Sequence, residues 1–179
     1  RPVKVDPDTV GVIEDGLTYG REAGGMLDIT GGALASLWNM EGKNPKVPPE
    51  DAIKAAMATI GYRNVTVSGD TVTLKNPHAM IYLGGVAKGF IADKLKEFLV
   101  SKGVHRAIIN LGGNVEVLGS KSASSPWIVG VQQPFKDRNK DIGYLYVKDK
   151  SVVTSGIYER YFVQDGKTYA HILDPRTGY

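Results

Sequence analysis

The side chains best able to do chemistry are densest near the end of the chain, in the stretches 154–162 and 169–178. One of only three histidines, His171, lies in the second stretch within an apolar run that predicts a strand. Histidine is the side chain best suited to proton transfer near neutral pH, so His171 is a candidate general base. Taken alone, the residues favour the alternative of a structural histidine whose nitrogens are satisfied.

Charged residues near His171 allow two interpretations. An ion pair between Glu159 and Arg160 that holds a loop is the favoured one. The alternative is that Arg160 or Arg176 binds a ligand phosphate. Ser155 precedes a glycine but has no GxSxG context, so a serine hydrolase is not indicated.

A predicted strand meets a predicted helix at Gly84-Gly85, which makes this junction a candidate anion site. Glycine lets a ligand approach the backbone, and the free N–H groups of a helix start attract negative charge. Lys88 falls in the first helical turn and could add a positive charge. The alternative is a tight turn with a solvated lysine, and neither GxGxxG nor GxxxxGK[ST] is present to decide it.

An acid in apolar surroundings, Asp28 between Leu27 and Ile29, is a further candidate. A carboxylate in that setting is paired, caps a helix or serves a function. Capping of the helix that begins near Ala33 and a functional role remain equally open.

Composition bounds the class of protein. The 179 residues carry a net charge of +3 with the basic residues spread along the chain, which does not predict a nucleic-acid partner. With no cysteine, disulfides, thiolate metal sites and a cysteine nucleophile are excluded. No apolar run approaches the ~20 residues that span a bilayer.

Periodicity predicts an α+β fold with largely antiparallel sheets and packed helices. Helices are predicted from Asp6-Pro7 to about Ala23, over 33–40, from Pro49-Glu50 to about Ile60, and over 86–99. A hairpin over 65–74 and another over 161–173 are predicted. Further strands are predicted at 79–83, 107–111 (a buried one), 115–118, 127–131, 142–147 and 152–154.

Taken together, these segments resemble the flavin transferase family first described as thiamine-biosynthesis (ApbE) lipoproteins, which are FAD:protein FMN transferases. Six stretches carry the resemblance, and their shared order gives it weight. They are 24–30 (GGMLDIT) with Leu37-Trp38, 83–93 (LGGVAKGFIAD), 110–114 (NLGGN), 127–134 (WIVGVQQP), 154–162 (TSGIYERYF) and 171–178 (HILDPRTG).

The resemblance implies a single flavin transferase domain over 1–179, related to the tunnelling fold, with two closely packed α+β lobes and FAD between them. It implies a Mg²⁺-dependent transfer of FMN from FAD to a threonine or serine hydroxyl of an acceptor protein, with AMP released. Charge neutralisation and positioning dominate such a transfer. An FAD pyrophosphatase that yields FMN and AMP, or an FAD-binding protein without chemistry, are the alternatives.

Residue by residue, the resemblance implies that Met26, Leu27, Asp28, Lys88 and Ile172 contact FAD. It further implies that the backbone carbonyl of Gly85 is a magnesium ligand and that His171 is the general base. Glu159 and Arg160 then become scaffold.

Two departures from the family pattern accompany the resemblance. Tyr82 stands where family members usually carry Asp before Leu-Gly-Gly, which removes a carboxylate beside the implied metal. The family's side-chain magnesium ligands lie downstream of Pro-Arg-Thr-Gly, beyond Tyr179, so we expect the sequence to be a piece of a longer protein. A location outside the cytoplasmic membrane, with any membrane contact only through a lipid anchor absent from this sequence, is expected by resemblance alone.

Overall fold

The computed structural model describes residues 2–137 and 140–179. The chain divides into two compact units. The first runs from the N-terminus to Ala87 and takes in Glu159–Tyr179 as well, and the second is Lys88–Tyr158. The candidate residues near both ends of the chain therefore belong to the same unit.

Four helices form where the periodicity predicts them: α1 (Pro7–Glu22), α2 (Gly32–Trp38), α3 (Glu50–Met57) and α4 (Ala87–Ser101). The first has the predicted start, since the Asp6 carboxylate accepts a hydrogen bond of 2.9 Å from the Thr9 N–H. The last ends before Gly103, whose φ of +77° suits a residue without a side chain.

Ten strands pair in four small sheets, and every strand pair among the described residues is antiparallel, as predicted. The first unit holds a sheet of order β1-β3-β2 and the hairpin β9-β10, and the second holds the sheets β4-β5-β8 and β6-β7. The strands are β1 (Pro2–Lys4), β2 (Val65–Ser68), β3 (Thr71–Leu74), β4 (Ala107–Asn110), β5 (Asn114–Leu118), β6 (Trp127–Gln132), β7 (Asp141–Val147), β8 (Lys150–Val153), β9 (Tyr161–Gln164) and β10 (Lys167–Ala170).

Three strand predictions were wrong. Residues 79–83 form no regular strand and make only an isolated parallel bridge, Gly31 to Met80. The last strand stops at Ala170, so His171 lies just beyond it. The strand β4 is not buried as predicted, because only Ile109 of its four residues is. Strand β1 was not predicted at all, because its pairing with β3 depends on residues about 70 positions away.

The core of the first unit forms around Trp38, whose side chain is only 1% exposed. Leu34, Ile53 and Ala56 complete the buried cluster, which joins α2 to α3. Apolar residues of the closing hairpin and its neighbours pack against it, namely Phe162, Tyr169 and Leu173. The segment that carries His171 is therefore attached to the best-buried part of the unit.

In the second unit, α4 keeps its predicted apolar stripe, but much of the stripe is exposed. Ile91, Leu95 and Phe98 are all exposed, whereas Ala92 is fully buried. Periodicity identifies the residues that share a helix face, but it does not show what covers that face. No helix in the described part of the chain is long and apolar enough to cross a membrane.

Candidate functional site

The Gly84-Gly85 turn leads into α4, and a neighbouring side chain lies close to each of the two glycines. The N–H groups of Val86 and Ala87 both donate to the Leu83 carbonyl, at 3.0 and 2.8 Å. A Cβ added to Gly85 would lie 3.1 Å from Leu27 Cδ1, and one added to Gly84 would lie 2.7 Å from the Tyr82 ring. The neighbouring side chains thus crowd the space that a Cβ would take at either glycine, and Leu27 lies beside Gly85. The contact of Leu27 with FAD stays a prediction.

Asp28 is held by the protein through three hydrogen bonds. Oδ1 accepts from the N–H and the hydroxyl of Thr30, at 2.8 and 2.6 Å, and Oδ2 accepts from the N–H of Tyr62 at 2.9 Å. The Thr30 hydroxyl in turn accepts from the Gly61 N–H at 2.7 Å. The carboxylate therefore joins the 28–30 loop to residues 61–62, a role missed in the sequence, and its contact with FAD stays a prediction.

Two predicted FAD contacts, Met26 and Ile172, are about half exposed apolar side chains of the first unit. Large apolar groups left in water are the kind of surface that a planar ligand covers. Both therefore suit the predicted role.

Lys88 begins the second unit and lies in the first turn of α4. Its Nζ donates a hydrogen bond of 2.8 Å to the carbonyl of Gly112, in the second Leu-Gly-Gly stretch. Gly112 and Gly113 have φ values of +60° and +86°, a conformation that glycine adopts at little cost. The lysine is not merely solvated, and an ammonium with three donors can bind an anion as well as this carbonyl.

His171 has a buried nitrogen, Nδ1, that has no hydrogen-bond partner among residues 2–137 and 140–179. Buried polar atoms nearly always have partners, so an unpaired imidazole nitrogen requires an explanation. The backbone beside it is well fixed, since the His171 N–H donates to the Arg160 carbonyl at 3.0 Å. His171 therefore combines a fixed backbone with a side-chain nitrogen that no described residue occupies.

An aromatic cluster supports this segment from both sides of His171. The Trp38 ring centroid lies 5.6 Å from that of Tyr169 and 6.2 Å from that of Phe162. Beyond the histidine, Trp38 Nε1 donates a hydrogen bond of 2.8 Å to the Gly178 carbonyl. The sequence predicts a helix over 33–40 that carries Trp38, but nothing local in the sequence indicates these partners.

The arginines have partners other than the predicted ones. Arg160 pairs with Glu41 at 2.5 Å, so the predicted Glu159–Arg160 pair is wrong. Arg176 binds the Asp174 carboxylate through Nε and Nη2, and this contact lowers the Asp174 pKa to about 2. Both arginines therefore have structural partners in the same unit.

A complete magnesium site is not formed by the residues that the structure describes. Among them, no three His, Cys, Asp or Glu side chains cluster in a way that could hold a metal ion. Mg²⁺ prefers an octahedron of oxygen ligands that includes carboxylates, so the Gly85 carbonyl alone does not suffice. The predicted role of Gly85 remains a prediction.

Comparison with known proteins shows the family of this chain. The ApbE family model matches residues 1–179. The chain belongs to the ApbE family. It is 43% identical over 150 residues to an FAD:protein FMN transferase of Klebsiella pneumoniae, covering 83% of this chain and 46% of the relative. With the transferase of Treponema pallidum it shares 36% over 193 residues, covering 99% of this chain and 53% of the relative.

Solved structures of the ApbE family show the same fold. The crystal structure of the ApbE protein of Thermotoga maritima matches with a TM-score of 0.91 and 37% identity. This match covers all of this chain and 59% of that one. The chain spans about half the length of the curated relatives it matches. The predicted family and the α+β, largely antiparallel ApbE architecture are thereby confirmed.

Proposed function

We propose that the protein carrying this ApbE chain is an FAD:protein FMN transferase. The hydroxyl oxygen of an acceptor threonine or serine attacks the FMN-side phosphorus of FAD. A phosphoester bond forms, the bond from that phosphorus to the bridging oxygen breaks, and AMP leaves with that oxygen. The hydroxyl proton passes to a base. Positioning and charge neutralisation carry most of the barrier reduction in such transfers.

The observation that carries the proposal is the buried Nδ1 of His171, to which none of the described residues bonds. With the imidazole proton on Nε2, this nitrogen would accept a proton, because no described residue bonds to it, and its backbone is held by the Arg160 carbonyl. Relatives at 36% and 43% identity bear the name of this activity, which supports the same assignment. His171 is therefore our proposed general base.

Other residues of the chain would bind the dinucleotide. Met26 and Ile172 would cover its planar parts, and the glycine turn would let the pyrophosphate approach the start of α4. Lys88 would contribute positive charge to the pyrophosphate. Asp28 would keep Leu27 in place through its bonds to Thr30 and Tyr62, and could still accept a bond from FAD.

Magnesium dependence is part of the proposal. When bound, the ion would neutralise charge on the pyrophosphate. The Gly85 carbonyl would be one ligand, and the others would come from residues outside this sequence, in keeping with the greater length of the relatives. The direct measurement is isothermal titration of the full-length protein with Mg²⁺ in the presence of FAD.

We also propose a location outside the cytoplasmic membrane, with a lipid anchor as the only membrane attachment. This rests on the family resemblance. Fractionation of cells that express the full-length protein tests it, and recovery in the cytoplasmic fraction would count against it.

The decisive experiment incubates full-length protein with FAD, Mg²⁺ and a threonine-containing acceptor peptide. Transfer predicts that the peptide gains the mass of one FMN and that AMP appears. Free FMN and AMP with unmodified peptide would indicate a pyrophosphatase, and intact FAD that stays bound would indicate a binding protein. If FAD is not retained at all, the flavin assignment is wrong.

A further inference from the structure

Tyr82 lies on a segment that backbone hydrogen bonds hold in place. Its N–H donates to the Ile29 carbonyl at 2.7 Å, and the Met80 carbonyl accepts from the Gly32 N–H at 3.0 Å. Ile81 turns into an apolar cavity of about 480 Å³. Tyr82 does not line that cavity, and it is 51% exposed.

The Tyr82 ring lies across Gly84. A Cβ built on Gly84 would come within 2.7 Å of both Cζ and the hydroxyl oxygen of Tyr82, and within 2.8 Å of Cε1. Only the missing side chain of Gly84 therefore allows the ring to lie there. Because the Tyr82 N–H is bonded to the Ile29 carbonyl and the Leu83 carbonyl accepts from Val86 and Ala87, the phenol presents a planar surface beside the glycine turn.

We propose that Tyr82 is a specificity-determining residue for the dinucleotide, through contact of its phenol ring with a planar ring of bound FAD. This inference rests on the proposed function. A carboxylate at this position would bring negative charge toward a pyrophosphate and would require a cation beside it. An uncharged phenol instead offers an aromatic face and a hydroxyl that can donate or accept.

FAD has two planar rings, and flavin fluorescence separates them. A phenol in contact with an excited isoalloxazine donates one electron and regains it, which quenches the emission without net change. Phenylalanine has the same shape but is not oxidised. Emission and lifetime of bound FAD and bound FMN therefore report contact with isoalloxazine, whereas binding of ADP reports contact with adenine.

The test uses full-length protein with Tyr82→Phe, Tyr82→Ala and, as matched control, Tyr144→Phe, an exposed tyrosine of β7 in the other unit. If the contact is with isoalloxazine, Tyr82→Phe raises the emission of bound FAD and FMN, and Tyr82→Ala weakens FMN binding roughly tenfold. If it is with adenine, Tyr82→Ala weakens ADP and FAD binding by a similar factor and leaves FMN binding unchanged. The control, Tyr144→Phe, should change neither the flavin emission nor the binding of FAD, FMN and ADP.

The inference is overturned if Tyr82→Ala binds FAD, FMN and ADP as tightly as the natural protein and Tyr82→Phe leaves the emission unchanged. Circular dichroism of each variant confirms that it is folded, and Tyr82→Phe, which keeps the ring, still decides the fluorescence result if Tyr82→Ala does not fold. Failure of the natural protein to bind FAD would contradict the proposed function itself, so the two failures are distinct.

Discussion

The indole nitrogen of Trp38 donates a hydrogen bond of 2.8 Å to the carbonyl of Gly178, 140 residues further along the chain. The same ring packs against Tyr169, two residues before His171. The Trp38 side chain thus contacts the chain both before and after His171, the candidate base. Because Trp38 is almost fully buried, both contacts are protected from water.

Replacing Trp38 by phenylalanine keeps an aromatic ring but leaves the Gly178 carbonyl without its donor. We expect the free energy of unfolding of the full-length protein to fall by about 1–3 kcal/mol, measured in urea. Trp127→Phe is the matched control, since Trp127 Nε1 donates a longer bond of 3.2 Å to Leu118 from a partly buried site. An equal or larger loss in the control would contradict this role for Trp38.

Gly178→Ala tests how closely the turn after His171 packs on α3. The φ of Gly178 is +80°, and the added Cβ would meet Ile53 Cγ2 and, at 2.7 Å, Met57 Sδ. Backbone strain of about 1 kcal/mol and overpacking of about 1–3 kcal/mol should both lower stability. Gly166→Ala has a similar φ of +73° but open space around it, so it should lose only the stability that backbone strain costs. Equal decreases in melting temperature for the two variants would show that Ile53 and Met57 move aside at no cost.

His171→Ala removes the candidate base while its neighbours keep their contacts. The rate of FMN transfer should fall roughly 10²- to 10⁴-fold, the usual contribution of a positioned base, with FAD affinity largely retained. His78→Ala, at an exposed histidine, is the control and should transfer at the natural rate. A variant of His171 that no longer binds FAD would argue for a binding role instead.

Lys96 and Glu116 form the most buried ion pair described, at 2.6 Å, with the Glu116 side chain 4% exposed. The hydrogen bond to Glu116 raises the Lys96 pKa. Lys96→Ala leaves a buried carboxylate unpaired, which should cost about 3 kcal/mol of unfolding free energy. Lys54→Ala breaks the exposed pair with Glu50 and should lower the free energy of unfolding far less, because solvent screens both charges. If urea denaturation gives similar losses for both, the burial of Glu116 does not matter to stability.

Asp174 should contribute a pH dependence in acid. The Arg176 guanidinium lowers its pKa to about 2, so the folded state binds its proton more weakly than the unfolded state. The stabilisation is therefore complete above the ordinary carboxyl pKa near 4 and is lost as pH falls toward 2. In an NMR titration, Arg176→Met should return the Asp174 pKa toward its ordinary value. The Asp6 pKa, which Thr9 lowers, should not move; a general shift of both would exclude a local effect of Arg176.

Local sequence determined much of this fold. The cap at Asp6, the apolar periodicity of α4 and the turn at Gly69-Asp70 each depend on residues within a few positions, and each feature formed where it was predicted. Family membership was likewise readable from ordered short stretches. Predictions failed where residues distant in sequence determine the local structure. Residues 79–83 have the composition of a strand, but the described structure gives them only one isolated bridge.

Only the tertiary structure decided how the candidate residues are held. Asp28 binds the Tyr62 N–H, Arg160 pairs with Glu41 instead of the adjacent Glu159, and Trp38 meets Gly178. Each contact joins residues far apart in the chain, and the free energy of such a contact depends on distance and burial that no local pattern encodes. The sequence by itself determined which groups are available for chemistry and which elements carry them. The folded chain determined which of those groups bind other parts of the protein, and it leaves Nδ1 of His171 without a partner in the described part of the chain.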